Sequence, residues 1–323
     1  MPLIGLAPDI IEAILDGCRL FAGRGKLPTR ELPETMEKIG NQQIWSYFDE
    51  RHEARPAKNQ AIRAGAGHRV HSYFELAKKV AELQFLNRDH VLLFRGQRRD
   101  YRTTKNNSML KASIFRLEGN KPPPDTVVER RFDKLRMAED QLVDRYSSQG
   151  FLGIDRLKRH RIIRWAILQH YEVCATPLID ITHSLRIAAS FASNNHNAGE
   201  AFVFVFGVPN ISGAVTASSE AGLQIIRLSS ACPPDAVRPH IQEGYLLGEY
   251  PEITDFTQKS HYRYYEMDFG RRLVAKFSFD PKVFWKSKNY TPAPDAALYP
   301  AEHRDPLLQI ASDIKSAVTE GAV

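Results

Sequence analysis

Two hydrophobic periods alternate along this chain, and their order predicts its architecture. Leu76, Val80, Leu83 and Leu86 recur at helical spacing behind Ser72-Tyr73-Phe74-Glu75, whose Ser and Glu have the spacing of a capping box. Asn87-Arg88-Asp89-His90 ends that helix. Val91-Leu92-Leu93-Phe94 is then an apolar run of strand length that stops at Arg95-Gly96-Gln97. A highly charged segment from Thr126 to about Tyr146 carries Val127, Val128, Phe132, Leu135, Leu142 and Val143, the narrow apolar face of a helix. A second helix is predicted from Asp155 to Tyr171. Strands follow at Pro177–Thr182, Ala201–Val208, Leu223–Leu228, Gly244–Leu247 and Arg272–Phe279, with a helix at Leu185–Ser193 and a surface helix from Asp305 to Val318. Helices first and strands later, without strand–helix alternation, predict an α+β fold: a mixed or antiparallel central sheet flanked by helices.

Residues 1–70 have a different texture. An amphipathic helix in MPLIGLAPDIIEAILDGCRLF and a short one from Ile39 to Phe48 are joined by Gly-, Pro- and charge-rich stretches, so this part reads as a small helical N-terminal extension. The main domain then covers 71–323, with its motifs between 72 and 245. Asp9, Glu12 and Asp16 interrupt the first apolar stretch and no basic segment precedes it, unlike a signal peptide. The longest apolar run, Ala201–Phe206, is too short to span a membrane. Cys18, Cys174 and Cys232 are widely spaced and odd in number, which argues against a disulfide framework or a structural zinc site and for a reducing, cytoplasmic setting. The net charge of +6 suits an anionic partner and suits solubility equally.

Three clusters concentrate polar chemistry. Arg95 carries a planar fork fitted to phosphate or carboxylate, and Gly96 admits close approach to the backbone; alternatively Arg95 is a buried strut paired with Asp180. Asp180 and Thr182 alternate with Ile179 and Ile181 and so face one side of a strand, while His183 and Ser184 sit where it ends. That face leads into a helix N-terminus, a setting for anionic groups, although Thr182 or Ser184 can also serve as a cap. His170 reads as a hydrogen-bonded helix-end histidine, and its spacing from Asp180 and His183 supports no metal site. Gln242 and Glu243 precede Gly244 at a strand start, where a polar group can orient a ribose hydroxyl or form a surface turn. The basic run Arg156, Lys158, Arg159, Arg161 and Arg164 is a solvated helix face or a phosphate-binding stripe.

Together these clusters resemble the FRG domain family, named for a Phe/Tyr-Arg-Gly signature. Phe94-Arg95-Gly96-Gln97 is followed in order by Leu110, Ser113 and Arg116, by Gln169-His170-Tyr171 with Leu178-Ile179-Asp180-Ile181-Thr182, by Ala188 and Phe191-Ala192, and by Gln242 and Gly244. The chain departs from the pattern where the family has Gly after His-Tyr (Glu172 here), Pro-Thr-Arg (Ala175-Thr176-Pro177) and an aromatic before Thr (Ile181). The layout is also similar to that of ADP-ribosyltransferases. That likeness implies NAD as the bound dinucleotide, held by Arg95, Gly96 and Gln97. It makes Asp180, Thr182, Ser184 and His170 the frame of the pocket, and Arg95 with Gln242 or Glu243 the catalytic positions. It implies glycosyl transfer to a macromolecule in a bacterial stress or phage-defence setting. The alternative is a non-catalytic module that binds nucleotide or nucleic acid through Arg95, Arg98, Arg99, Arg102 and the basic helix, with Tyr101 and Trp165 stacking on bases.

Overall fold

The computed structural model describes residues 42–116, 122–196, 199–286 and 289–320. The helix expected near the N-terminus lies outside them. Where a helix was predicted over Ile39–Phe48, the described part is a strand, β1 (Gln43–Ser46), paired antiparallel with β2 (Arg55–Lys58). Period two decides it: Ile44 and Ser46 are buried while Gln43 is exposed. Asn87 reinforces the choice, accepting from Trp45 N and donating to Trp45 O at 3.0 Å each. A short helix α1 (Asn59–Ala64) and β3 (His68–Arg69) follow.

Ser72 caps α2 (Tyr73–Leu86), its hydroxyl accepting from Glu75 N at 3.1 Å. Then come β4 (Val91–Gln97), α3 (Asp125–Ser148), α4 (Ile154–Arg159), α5 (Arg161–His170), β5 (Ile179–Thr182), α6 (Leu185–Ser193), β6 (Ala201–Val208), β7 (Val215–Ser218), β8 (Leu223–Arg227), α7 (Val237–Ile241), β9 (Gly244–Glu249), β10 (Leu273–Phe279) and α8 (Pro306–Glu320). The central sheet has eight strands in the order β3-β10-β6-β4-β5-β9-β8-β7. It is mixed: β3 runs parallel to β10, and the other described pairings are antiparallel. Val203, Phe204, Val205 and Phe206 are all fully buried, because helices cover both faces of the middle strands.

The single helix predicted from Asp155 to Tyr171 is broken at His160 (φ −111°, ψ 99°). Arginines stabilise the break. Arg164 Nη1 donates to the carbonyls of Leu157 and Lys158 (2.8 and 3.0 Å), closing the open end of α4. Arg161 and Arg164 both grip Glu139 of α3, whose side chain is 4% exposed. Arg161 and Arg164 of the basic stripe are therefore committed to the protein, whereas Arg156, Lys158 and Arg159 are exposed. The C-terminal helix forms as expected but is not a pure surface element, since Leu307, Ile310, Ala311, Ile314 and Val318 are buried.

Buried charge also fixes the segment after β4. Lys276, fully buried on β10, donates to Asp100 Oδ2 at 2.7 Å and Ser108 Oγ at 2.9 Å, and Arg102 pairs with the same aspartate at 2.8 Å. This network anchors the turn that follows Arg95-Gly96-Gln97.

Candidate functional site

β4 is paired with β6 along its full length, but its other edge meets β5 at one position, Phe94 with Thr182. Beyond that bridge the two strands part. Gly96 explains what fills one side of the opening. A Cβ on it would lie 1.8 Å from the carbonyl oxygen of Ala188 and 2.9 Å from Ala192 N, so the backbone of α6 rests directly on β4. Gly96 thus serves helix–strand contact at this face, and Ala188 and Ala192 are small for the same reason.

On the other side lies a cavity of about 280 Å³. Arg95, Gly96, Gln97 and Arg98 reach it from β4 and its end, Asp180 and Thr182 from β5, and Gln169 and His170 from α5. Phe191, Gln242 and Gly244 also line it, joined by Glu172, Arg238 and Tyr299. The sequence candidates Arg95, Gly96, Gln97, His170, Asp180, Thr182 and Gln242 therefore come together. Ser184 and Glu243 do not line the cavity, and Glu243 is exposed with a left-handed backbone (φ 44°).

Arg95 Nη1 donates across the gap to the main-chain oxygen of Asp180 rather than to its carboxylate. Burial lowers the Arg95 guanidinium to about 10, Arg116 adding to the effect and Asp180 opposing it, so it stays charged at neutral pH. The Asp180 carboxylate accepts from Gln169 Nε2 at 2.7 Å and lies 3.7 Å from His170 Nδ1. Burial alone would raise its pKa, but His170, Arg95 and the Gln169 amide outweigh burial and hold it below the ordinary carboxylate value. Burial also lowers the pKa of His170, against the pull of Asp180.

The Gln169 amide connects two motifs that are far apart in sequence. Its Oε1 accepts from Ser113 and Thr176 hydroxyls, both at 2.8 Å, while its Nε2 orients Asp180. Ser113, in the Leu-x-x-Ser-x-x-Arg element, thereby positions the acid from outside the cavity. Thr182 Oγ1 donates to Gln242 O at 2.7 Å and accepts from Ser184 N at 3.0 Å, so the start of α6 is organised by Thr182 and not by the Ser184 side chain. Gln242 Nε2 donates to Leu298 O at 2.6 Å, which turns the amide oxygen into its free-facing end. Gly244 makes room for both Leu228 and His170: a Cβ there would sit 2.9 Å from Leu228 Cδ1 and 3.2 Å from the imidazole Cε1.

Sequence reasoning missed Arg238, Tyr299 and the side chain of Glu172 as cavity residues. Arg238 was visible beside Gln242 but had no distinguishing pattern. Tyr299 comes from a segment with no periodicity. Glu172 did carry a signal, because it stands where the family pattern has Gly, and its backbone is left-handed (φ 58°) as a helix-terminating glycine's would be.

Among the described residues no cluster of three His, Cys, Asp or Glu is placed to hold a metal, and no helix is long and apolar enough to cross a membrane. No curated protein and no solved structure matches the chain. Residues 90–201 do match the model of the FRG domain, a span that holds β4, the Ser113 element, α5, β5 and α6 and ends before Gln242, so this protein contains an FRG domain.

Proposed function

We propose that the cavity binds a nucleotide of the NAD type and that the protein is an ADP-ribosyltransferase-like enzyme acting on a macromolecule. One observation carries this reading. Arg95 Nε, Gln97 Oε1 and His170 Nε2 are buried, have no hydrogen-bond partner among the described residues, and belong to side chains that line one cavity. Buried polar atoms in folded proteins are nearly always paired, so such a lining fits a polar ligand that supplies both donors and acceptors. The size agrees: about 280 Å³ takes a nucleoside-phosphate-sized group, and the rest of a dinucleotide would extend past the exposed Arg98.

NAD supplies the bond between nicotinamide and ribose. The residues divide the remaining work. Arg95, still charged, is the anion-binding group. Gln242 presents an amide oxygen to a ribose hydroxyl. Asp180, ionised and with a side chain 35% exposed, is the carboxylate placed to offset positive charge developing at the ribose. That role falls to Asp180 because the Gln242 amide is neutral and Glu243 lies off the cavity.

A nucleic-acid-binding module is the less favoured reading. Arg161 and Arg164 are committed to Glu139, Arg156 donates to Ser230 O, and Arg102 is tied to Asp100 and Gly65 O. The test is release of nicotinamide from NAD by wild type and Arg95→Lys, with circular dichroism to confirm folding. Release by wild type that is lost in the folded variant is the expected result, and labelled NAD then identifies the acceptor. Wild type that neither releases nicotinamide nor binds ADP-ribose overturns the proposal.

A further inference from the structure

We infer that Arg238 is a second phosphate-binding residue of this cavity, and that Glu172 is a built-in carboxylate which holds it until a phosphate-bearing ligand displaces it. The inference rests on the nucleotide reading above and adds the residue pair that sets its affinity.

Arg238 is 8% exposed, yet it lines the cavity. Its position is fixed from behind. Arg238 N donates at 2.9 Å to Asp305 Oδ2, and Asp305, fully buried, also accepts from the Tyr171 hydroxyl. The guanidinium carbon stands 5.7 Å from the Tyr171 ring and 5.1 Å from the Tyr299 ring, so aromatic faces hold the fork in place. One edge of that fork is engaged: Nη2 donates to Glu172 Oε1 at 2.7 Å. Nε is buried and has no partner among the described residues. A guanidinium flanked by two aromatic rings and bonded to an exposed carboxylate is prepared to exchange that acceptor for another.

Its present partner is built differently. The Glu172 side chain is 61% exposed and is held by this contact, whereas Arg238 is held by the core. Its backbone is in the left-handed region (φ 58°) at the end of α5, a position that favours glycine. A glutamate there needs a reason, and the ion pair with Arg238 supplies one. The carboxylate presents to Arg238 the same bidentate-capable oxygens that a phosphate would, from a side chain that can swing into solvent. Arg95 and Arg238 thus line one cavity, the first bonded through Nη1 to a main-chain oxygen and the second to a removable carboxylate. A nucleoside diphosphate has two phosphates to offer them.

Titration calorimetry with ADP-ribose, and with adenosine as the phosphate-free control, tests this in wild type, Glu172→Gln, Glu172→Gly and each combined with Arg238→Gln. Glu172 is exposed, so its variants are expected to fold. Removing the competing carboxylate should tighten ADP-ribose about tenfold, equivalent to about 1.4 kcal/mol, and leave adenosine unchanged. The gain should vanish when Arg238→Gln is added. Wild-type binding that is unchanged or weakened in both Glu172 variants would show that Glu172 supports the site, and would overturn this inference while the nucleotide reading stands. Equal tightening of adenosine would overturn it too, since the effect would not involve phosphate. If neither wild type nor the Glu172 variants bind ADP-ribose, the nucleotide reading fails and this inference goes with it.

Discussion

Gly96→Ala separates two explanations of the signature glycine. If Gly96 exists to let a ligand approach the backbone, the alanine variant should fold normally and lose binding. The packing predicts otherwise. The added Cβ would stand 1.8 Å from Ala188 O, 2.8 Å from Ala188 C and 2.9 Å from Ala192 N, and all of these are backbone atoms of α6. No flexible side chain can give way, so strand and helix must move apart by more than 1 Å, roughly the shortfall from van der Waals contact. Overpacked cores lose about 1–3 kcal/mol and occasionally more. A rigid backbone clash belongs at the upper end, so we expect a loss of about 3 kcal/mol or greater, with Tm lower by roughly 5–10 °C. Thermal and urea denaturation followed by circular dichroism give both quantities. A second variant sharpens the test. Ala188→Gly removes a methyl but keeps the carbonyl, so the double variant Gly96→Ala/Ala188→Gly should not be rescued. A Gly96→Ala protein within about 0.5 kcal/mol of wild type, or rescue by Ala188→Gly, would refute the packing account.

Two further outcomes follow from buried charge. Lys276→Met leaves Asp100, 5% exposed, with Arg102 as its remaining cation, and should cost about 3 kcal/mol in urea denaturation; adding Asp100→Asn should restore part of it, and additive losses would show that the two residues are not coupled. His170 has its pKa lowered from the ordinary 6.5, by burial first and with Arg238 adding while Asp180 and Asp305 oppose. The unfolded chain therefore takes up a proton near 6.5 and the folded protein only below it, so this residue's contribution is intact above about pH 6.5 and is lost as the pH falls. Tm measured from pH 8 to pH 5 should decline more steeply below 6.5 in wild type than in His170→Gln, and parallel curves would contradict this.

Much of the scaffold was legible because periodicity reports burial directly. α6 and β6 match their predicted spans because Leu185–Ser193 and Ala201–Val208 have clear periods bounded by polar residues. The failures have physical causes. β1 is a four-residue strand, too short for its period to stand out in sequence, and Asn87, which reinforces it, lies more than 40 positions away. β7 (Val215–Ser218) is half-exposed at the sheet edge, where alternation is weak. The break at His160 depends on where Arg161 and Arg164 find Glu139, and no local pattern encodes that. In the site, motif residues on the strands were readable, whereas Arg238 and Tyr299 are brought in by tertiary packing alone.

Arg95 is a strut in this fold, and under the nucleotide proposal it is a ligand group as well, because its nitrogens allow both. A guanidinium has five N–H bonds. Nη1 closes the gap between β4 and β5 by bonding Asp180 O, which is structural work needed because the strands share one bridge. Nε remains buried and without a partner among the described residues, on a side chain that lines the cavity. The two roles support each other. A residue anchored by one nitrogen presents the others with little freedom left to lose, which is what a preorganised anion site requires. The same economy holds for Asp180, whose main-chain oxygen anchors Arg95 while its carboxylate, turned by Gln169 and ultimately by Ser113, faces the cavity. The spaced motifs of this chain therefore act as one connected unit: a substitution at Ser113, outside the cavity, or at Gln169, on its wall, should shift the acid and the arginine together.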